Sequence, residues 1–159
     1  MSDSTTLLNQ FDRRLIDSLY VEAMVLADEA RSFFDHRAEE HRALLGQVDR
    51  VEFACESLKV TTRLMHVIAW LLTQRAILNG ELPESARGEE RHGLGAAAPT
   101  PAGIAERFSV DMAALIETSE DLYDRVSRLE RQLIGRGRND IALPLSPARD
   151  LLIRLERAF

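Results

Sequence analysis

The chain of 159 residues is long enough for one domain of ordinary size that buries about two thirds of its unfolded surface. Hydrophobic residues make up 45% of it and charged residues 29%, which is typical of a globular protein and excludes a disordered one. A net charge of −6 disfavours a generic binder of nucleic acid or of anionic membranes.

Three further features predict a cytoplasmic protein without membrane insertion. The longest apolar run, Val67 to Leu72, is far shorter than the roughly 20 residues that a helix needs to cross a bilayer. The first residues lack the basic start and apolar core of a secretory signal. The single cysteine, Cys55, cannot form an internal disulfide.

The first predicted element is a helix over about residues 9–40. Its apolar residues recur at helical spacings of three and four, and they form two neighbouring rows. The first row is Leu15, Leu19, Ala23, Leu26, Ala30 and Phe33, and the second is Ile16, Tyr20, Met24, Ala27 and Phe34. So wide an apolar face predicts contact with two neighbouring elements.

The second predicted helix spans about residues 47–79 and shows the most regular spacing in the chain. We expect its core row to be Val48, Val51, Cys55, Leu58, Thr62, Met65, Ala69, Leu72 and Ala76. A second apolar row follows Val60, Leu64, Val67, Leu71 and Leu78. Gly80, in a left-handed conformation, and then Pro83 should end this helix.

Residues 81–100 form the predicted linker. Together with the next three residues, this stretch holds three of the five prolines, four glycines and the low-complexity run Gly93 to Ala98. With so few large apolar residues, burial cannot offset the entropy of ordering the segment. We therefore expect the linker to be mobile.

The third predicted helix covers about residues 101–134, beginning at Thr100–Pro101 as a cap followed by a first-turn proline. Its apolar positions form almost unbroken heptads: Phe108, Met112, Leu115, Ser119, Leu122, Val126, Leu129 and Leu133. Gly135 and Gly137 are expected to end it.

Residues 139–159 form a predicted hinged tail with a short amphipathic helix at 147–158. Its apolar side carries Leu151, Leu152, Leu155 and Phe159. Because an isolated helix of about three turns is marginal in water, it must dock somewhere. Two alternatives are open: it caps the core of its own bundle, or it detaches and binds another protein in a groove.

Together these elements predict an all-α protein: residues 1–138 form a three-helix bundle of long antiparallel helices, followed by the short C-terminal amphipathic helix. Each long helix of roughly 30 residues would measure about 45 Å. The narrow core of such a bundle leaves the second apolar rows of the first two helices short of partners. We therefore expect a homodimer.

The sequence offers little for catalysis, and we expect no enzyme, metal or cofactor. It contains no glycine-rich phosphate loop and no serine elbow. Cys55 lies in an apolar row, where a thiol should be inert. The only Glu-x-x-His spacing, Glu89 to His92, lies in the predicted linker, and the residues 36–41 with two histidines fit a solvated helix end.

A cationic and aromatic stripe on the second helix is the strongest candidate for a binding surface. Its residues recur at alternating spacings of four and three: Lys59, Arg63, His66, Trp70, Thr73 and Ile77. With the adjoining Leu64, Val67 and Leu71, it could bind a second copy of the chain or an acidic partner, with Trp70 as the anchor. The alternative is a tryptophan at the edge of the core, covered by arginine stems.

Two segments resemble a known family. They are Ile16 to Arg31 in the first helix and, more strongly, Cys55 to Ala76 in the second. Both are similar to the alphaproteobacterial family of the regulator of CtrA degradation, RcdA. The resemblance is specific over about residues 14–81 and looser from residue 82 onward.

The resemblance implies a non-enzymatic adaptor for regulated proteolysis, built as a dimeric three-helix bundle. Family members act with the protease ClpXP once CpdR has primed the unfoldase, and they deliver cell-cycle regulators. Delivery of CtrA also involves a cyclic-di-GMP effector. Two other classes stay open on the residues alone, a structural homodimeric bundle without a role in proteolysis and a bundle enzyme with an unrecognised metal.

Overall fold

The computed structural model describes residues 2–141, and this part of the chain contains four α-helices and no strand. The helices are α1 (Ser2–His36), α2 (Ala38–Ala43), α3 (Gln47–Leu78) and α4 (Val110–Ile141). Three short 3₁₀ turns lie between α3 and α4, at Glu84–Gly88, Glu90–His92 and Ala105–Arg107. The prediction of an all-α helical bundle is confirmed. The predicted helix at 147–158, with Leu151, Leu152, Leu155 and Phe159, lies outside the described residues.

The end of α3 follows the predicted glycine signal. Gly80 has a φ of 76°, in the left-handed region that favours glycine. The amide of Gly80 donates to the carbonyl of Ile77, and the amide of Glu81 donates to that of Ala76. This is a Schellman ending, in which glycine satisfies the last free carbonyls of the helix.

The third long helix, α4, begins and ends later than predicted. Its first residue is Val110, because Ser109 and not Thr100 caps it: the Met112 amide donates to Ser109 Oγ at 3.3 Å. Gly135 and Gly137 lie inside α4 and do not end it. Helical glycine costs up to about 1 kcal/mol, and contacts such as the buried Leu133 offset that cost.

The helix directions differ in one respect from the predicted bundle of long antiparallel helices, because two long helices that follow each other in the chain are parallel. The helix α1 is antiparallel to α3, since Phe33 packs near Phe53 while Arg13 bonds the carbonyl of Leu78. It is also antiparallel to α4, as the ion pairs of Arg37 with Asp111 and of Arg136 with Asp12 show. The helices α3 and α4 are therefore parallel to each other.

Parallel neighbours need a connection that returns along the bundle, and residues 79–109 provide this crossover. Arg87 bonds Gln74 near the end of α3, whereas Arg107 pairs with Asp49 near its beginning. The mobility expected for residues 81–100 stays a prediction. The contacts above, with those of Leu94 to Glu130 and of Thr100 to Glu120, hold the crossover along α3 and α4. Composition did not reveal them, because their partners lie far away in sequence.

The hydrophobic core lies where α1, α3 and α4 meet. On α3, it is lined by the second apolar row and not by the one predicted as the core row. The buried apolar residues of α3 are Phe53, Val60, Leu64, Val67, Trp70, Leu71 and Ile77. The heptad row of α4 is buried as predicted from Met112 to Leu133.

Candidate interaction surface

A row of exposed apolar residues runs along the outer face of α3. Its large members are Val51, Leu58, Met65 and Leu72, whose exposed fractions are 64%, 68%, 63% and 46%. Cys55, Thr62 and Ala69 lie between them and Ala76 follows Leu72, all at spacings of three and four. We call these eight residues the α3 outer row. Apolar heptads on an exposed helix face are the pattern of a helix that packs against another chain.

The helix α1 borders this apolar surface across a groove. Val21, Met24 and Val25 are also exposed on α1. A groove of about 310 Å³ separates α1 from α3, with Ala27 and Ala30 on one side and Met65 on the other. Because Met65 belongs to both the groove and the α3 outer row, the two features form one continuous candidate surface.

The predicted stripe from Lys59 to Trp70 lies elsewhere, under the crossover. Arg63 is 2% exposed, and its guanidinium donates to the carbonyl of Ala98 at 3.0 Å, to Thr100 Oγ1 at 2.9 Å and to Ser119 Oγ at 3.2 Å. It also pairs with Glu120 at 3.3 Å. Arg63 therefore links α3, the crossover and α4.

Buried polar groups around Arg63 complete this network. The carboxylate of Glu56 accepts from Lys59 Nζ at 2.6 Å and from Thr100 Oγ1 at 2.5 Å. Burial lowers the pKa of the Arg63 guanidinium, and the nearby Glu120 and Glu56 carboxylates oppose that shift. The positive charges of Arg63 and Lys59 pair with the carboxylates of Glu56 and Glu120, so the network offers no free charge to a partner.

The rest of the stripe packs inside the molecule as well. His66 lies so close to Gly95 that a Cβ at Gly95 would sit 2.5 Å from His66 Nδ1. Trp70 is buried in the core. Tyr123 of α4 donates to the carbonyl of Gly95 at 2.7 Å, and burial raises the pKa of its phenol.

The residues that the sequence suggested as a partner surface are therefore either buried or partly covered by the crossover. Arg63, Leu64, Val67, Trp70 and Leu71 are buried, and Lys59 and His66 are partly covered by the crossover. In this conformation they form no accessible surface. The interpretation of Trp70 as an edge-of-core residue fits its position better than the anchor hypothesis.

No cluster of reactive groups emerges from the fold of residues 2–141. Within that range, no group of three or more histidine, cysteine, aspartate or glutamate side chains could hold a metal ion. His41 packs against the ring of Phe33, with centroids 5.2 Å apart. Cys55 is an exposed free thiol in the α3 outer row, and not a core residue.

Apolar periodicity predicts the α3 outer row as the core row, although residue size distinguishes the two rows. The outer row alternates large residues with Cys55, Thr62, Ala69 and Ala76. The buried row has no residue smaller than valine, as Val60, Leu64, Val67 and Leu71 show. Because a close-packed core favours bulky side chains at each layer, residue size would have identified the correct row.

None of the helices in the described range is long and apolar enough to cross a membrane. A family model described as "Protein of unknown function (DUF1465)" matches residues 8–159. A search of curated proteins finds no match. Among solved structures, the chain is similar to RcdA from Caulobacter crescentus CB15, with a TM-score of 0.60 and 32% sequence identity over 75% of this chain and 90% of that one.

Proposed function

Because this chain belongs to the DUF1465 family and is RcdA-like, we propose that it is a non-enzymatic adaptor that delivers cell-cycle regulatory proteins to the ClpXP protease. The observation that carries the proposal is the likeness to the RcdA structure, which combines the same fold with 32% identity. The large exposed apolar surface of α1 and α3 supports it, since an adaptor needs binding faces and no reactive group.

Delivery by an adaptor is a matter of effective concentration. Tethering a cargo protein next to the protease raises its local concentration, to millimolar values for short flexible tethers. We propose the partners that the resemblance implies: ClpX primed by a CpdR-like protein, and cargo such as CtrA, reached through a cyclic-di-GMP effector. The compartment of this machinery is the cytoplasm, and neither nucleic acid nor a membrane is involved.

We further propose that the protein is a homodimer and that the α3 outer row is part of its dimer surface. Four large apolar side chains of the row are about half exposed or more. A second copy of α3 could interdigitate with them, since the spacing of three and four is that of helix-to-helix packing. Binding through Lys59, Arg63 or His66 would instead require the crossover to leave its position.

The test is reconstituted degradation of a family cargo by ClpXP and its cognate CpdR-like primer, with and without this protein. Degradation should accelerate and saturate with adaptor concentration. Met65→Glu should weaken delivery, whereas Gln132→Glu on the exposed face of α4 should leave it unchanged. No acceleration with a protease and primer of verified activity would contradict delivery of that cargo.

The alternative function is a structural homodimer without a role in proteolysis, which the α3 outer row also supports. The two functions differ in whether ClpX binds. A stable dimer that neither binds primed ClpX nor alters degradation of any family cargo would favour the structural protein.

A further inference from the structure

A second groove, of about 350 Å³, lies between α1 and α4. The almost completely buried Leu26 and Leu115 contribute to its floor, and Glu29, Ser32 and Thr118 are exposed at its edge. The residues that line it differ from those of the α1–α3 groove and from the α3 outer row. It is therefore a separate surface, on which a partner can bind while the α3 outer row is occupied.

Two exposed valines extend this groove along α1. Val21 and Val25 are 61% and 54% exposed. Val25, Glu29 and Ser32 follow one another at spacings of four and three, which places them on one face of the helix. The valines therefore lead directly to the edge of the groove. We call the groove and the two valines the α1–α4 face.

The edge of the groove is acidic. Three carboxylates line it, those of Asp28, Glu29 and Asp111, against the single guanidinium of Arg37. Arg37 pairs with Asp111 at 3.0 Å, and Arg31 pairs with Asp28 at 2.6 Å. Among residues 2–141, no arginine or lysine pairs with Glu29. The carboxylate of Glu29 is therefore available to a cation from outside the molecule.

The same excess of carboxylates continues beside the valines. Arg125 of α4 pairs with both Glu22 and Asp121, so two carboxylates share one cation. Arg14, two turns before Val21 on the same face, marks the end of the acidic surface. The α1–α4 face thus combines apolar side chains with net negative charge, which complements a segment that carries both apolar and basic residues.

We propose that the α1–α4 face binds a basic amphipathic segment of a partner protein. Apolar side chains of that segment pack against Val21 and Val25, and a lysine or arginine pairs with Glu29. A second copy of this chain is a poorer occupant, because a two-fold interface uses the same patch on both chains and would bring its carboxylates together. The proposal is independent of the adaptor function, since a basic partner can bind here whether or not cargo is delivered.

Binding of a model peptide to the full chain tests the proposal. The probe is a fluorescein-labelled amphipathic peptide of about 14 residues, long enough to cover the roughly 17 Å from Val21 to Ser32. It carries leucines on one helical face and lysines on the other, and glutamates replace the lysines in its acidic counterpart. Fluorescence anisotropy should show binding of the lysine peptide that weakens with salt, and no binding of the glutamate peptide.

Two charge reversals separate this face from a general attraction to an acidic protein. Glu29→Lys should weaken binding of the lysine peptide roughly tenfold, because an attractive pair becomes a repulsive one. Glu81→Lys changes the net charge equally at an exposed position after α3 and should leave the affinity nearly unchanged. An equal loss in both variants, or no binding by the wild type, would overturn the proposal.

Thiol protection in a Cys55→Ser background locates the bound peptide. With the lysine peptide present, Ser32→Cys at the groove edge should react with a maleimide several-fold more slowly, whereas the rate for Thr61→Cys in the α1–α3 groove should not change. The reverse pattern would place the basic segment in the α1–α3 groove. If Ser32→Cys is protected without peptide and Glu29→Lys removes that protection, a second copy occupies the face. Either of these two results would overturn the proposal.

Discussion

At the scale of single residues, Arg63 decides how the crossover is held. Its guanidinium bonds two residues of the crossover and two of α4, all from a nearly fully buried position. Removing Arg63 from this network would leave the carboxylate of Glu120 without its compensating charge, and that costs more than the pair contributes.

Arg63→Ala should therefore lower the free energy of unfolding by about 3–5 kcal/mol. Glu120 and Thr100 would each lose the hydrogen bond that Arg63 donates, and a cavity would replace the arginine stem. Urea denaturation followed by circular dichroism measures the change. Arg128→Ala, at an exposed position of α4, should stay within about 0.5 kcal/mol of the wild type. A similar small loss for both variants would contradict the bracing role of Arg63.

Gly95 is the second residue on which the crossover depends, because His66 leaves no space for a side chain there. Gly95→Ala should destabilise the protein by about 1–3 kcal/mol through overpacking. Gly88→Ala is the matched control, since nothing lies within 4 Å of a Cβ at Gly88. Thermal melting of both variants gives the comparison. If Gly95→Ala melts like Gly88→Ala, the close approach to His66 is not a constraint.

At the scale of elements, α3 carries two apolar rows with different partners. One row packs inside the bundle, and the α3 outer row faces away from it. Periodicity identified both rows, and the bounds of α3 differ from the prediction by one residue, but the row predicted as the core row is the exposed one. It could not say which row is inside, because spacing is identical for a core and for an interface between chains.

Leu58→Glu with Met65→Glu should convert a dimer into a monomer while helicity stays unchanged. Charges on both large side chains would oppose burial of the row, whereas neither side chain contributes to the core. Sedimentation analysis measures the mass, and Gln132→Glu is the control. Cys55 supplies a second readout: it should react more slowly with a maleimide in the wild type than in the double variant. A wild type that is already monomeric at micromolar concentrations would contradict the dimer.

At the scale of the whole molecule, the parallel arrangement of α3 and α4 requires a long connection. Val110 is about level with residue 54 of α3, so the crossover returns over roughly 36 Å from Leu78. A five-residue loop reaches at most about 18 Å. Replacing residues 79–109 by such a loop should abolish cooperative unfolding, as measured by calorimetry.

A glycine- and serine-rich linker of the original length is the control for that replacement. It should permit folding with reduced stability, because reach is restored while the contacts to Arg63 and Gln74 are lost. If the variant with the five-residue loop unfolds cooperatively, α3 and α4 can pack antiparallel, as predicted from the sequence.

The sequence by itself determined the presence of three long helices, the ending at Gly80 and the buried row of α4. These depend on local spacing, on capping and on residue type, all of which act over a few neighbouring residues. Only the tertiary structure decided the direction of α4, the path of the crossover, the burial of the Lys59–Trp70 stripe and the exposure of the α3 outer row. Each of these depends on contacts between residues far apart in the chain, as between Arg63 and Thr100, and hydrophobic periodicity carries no information about which distant partner covers a helix face.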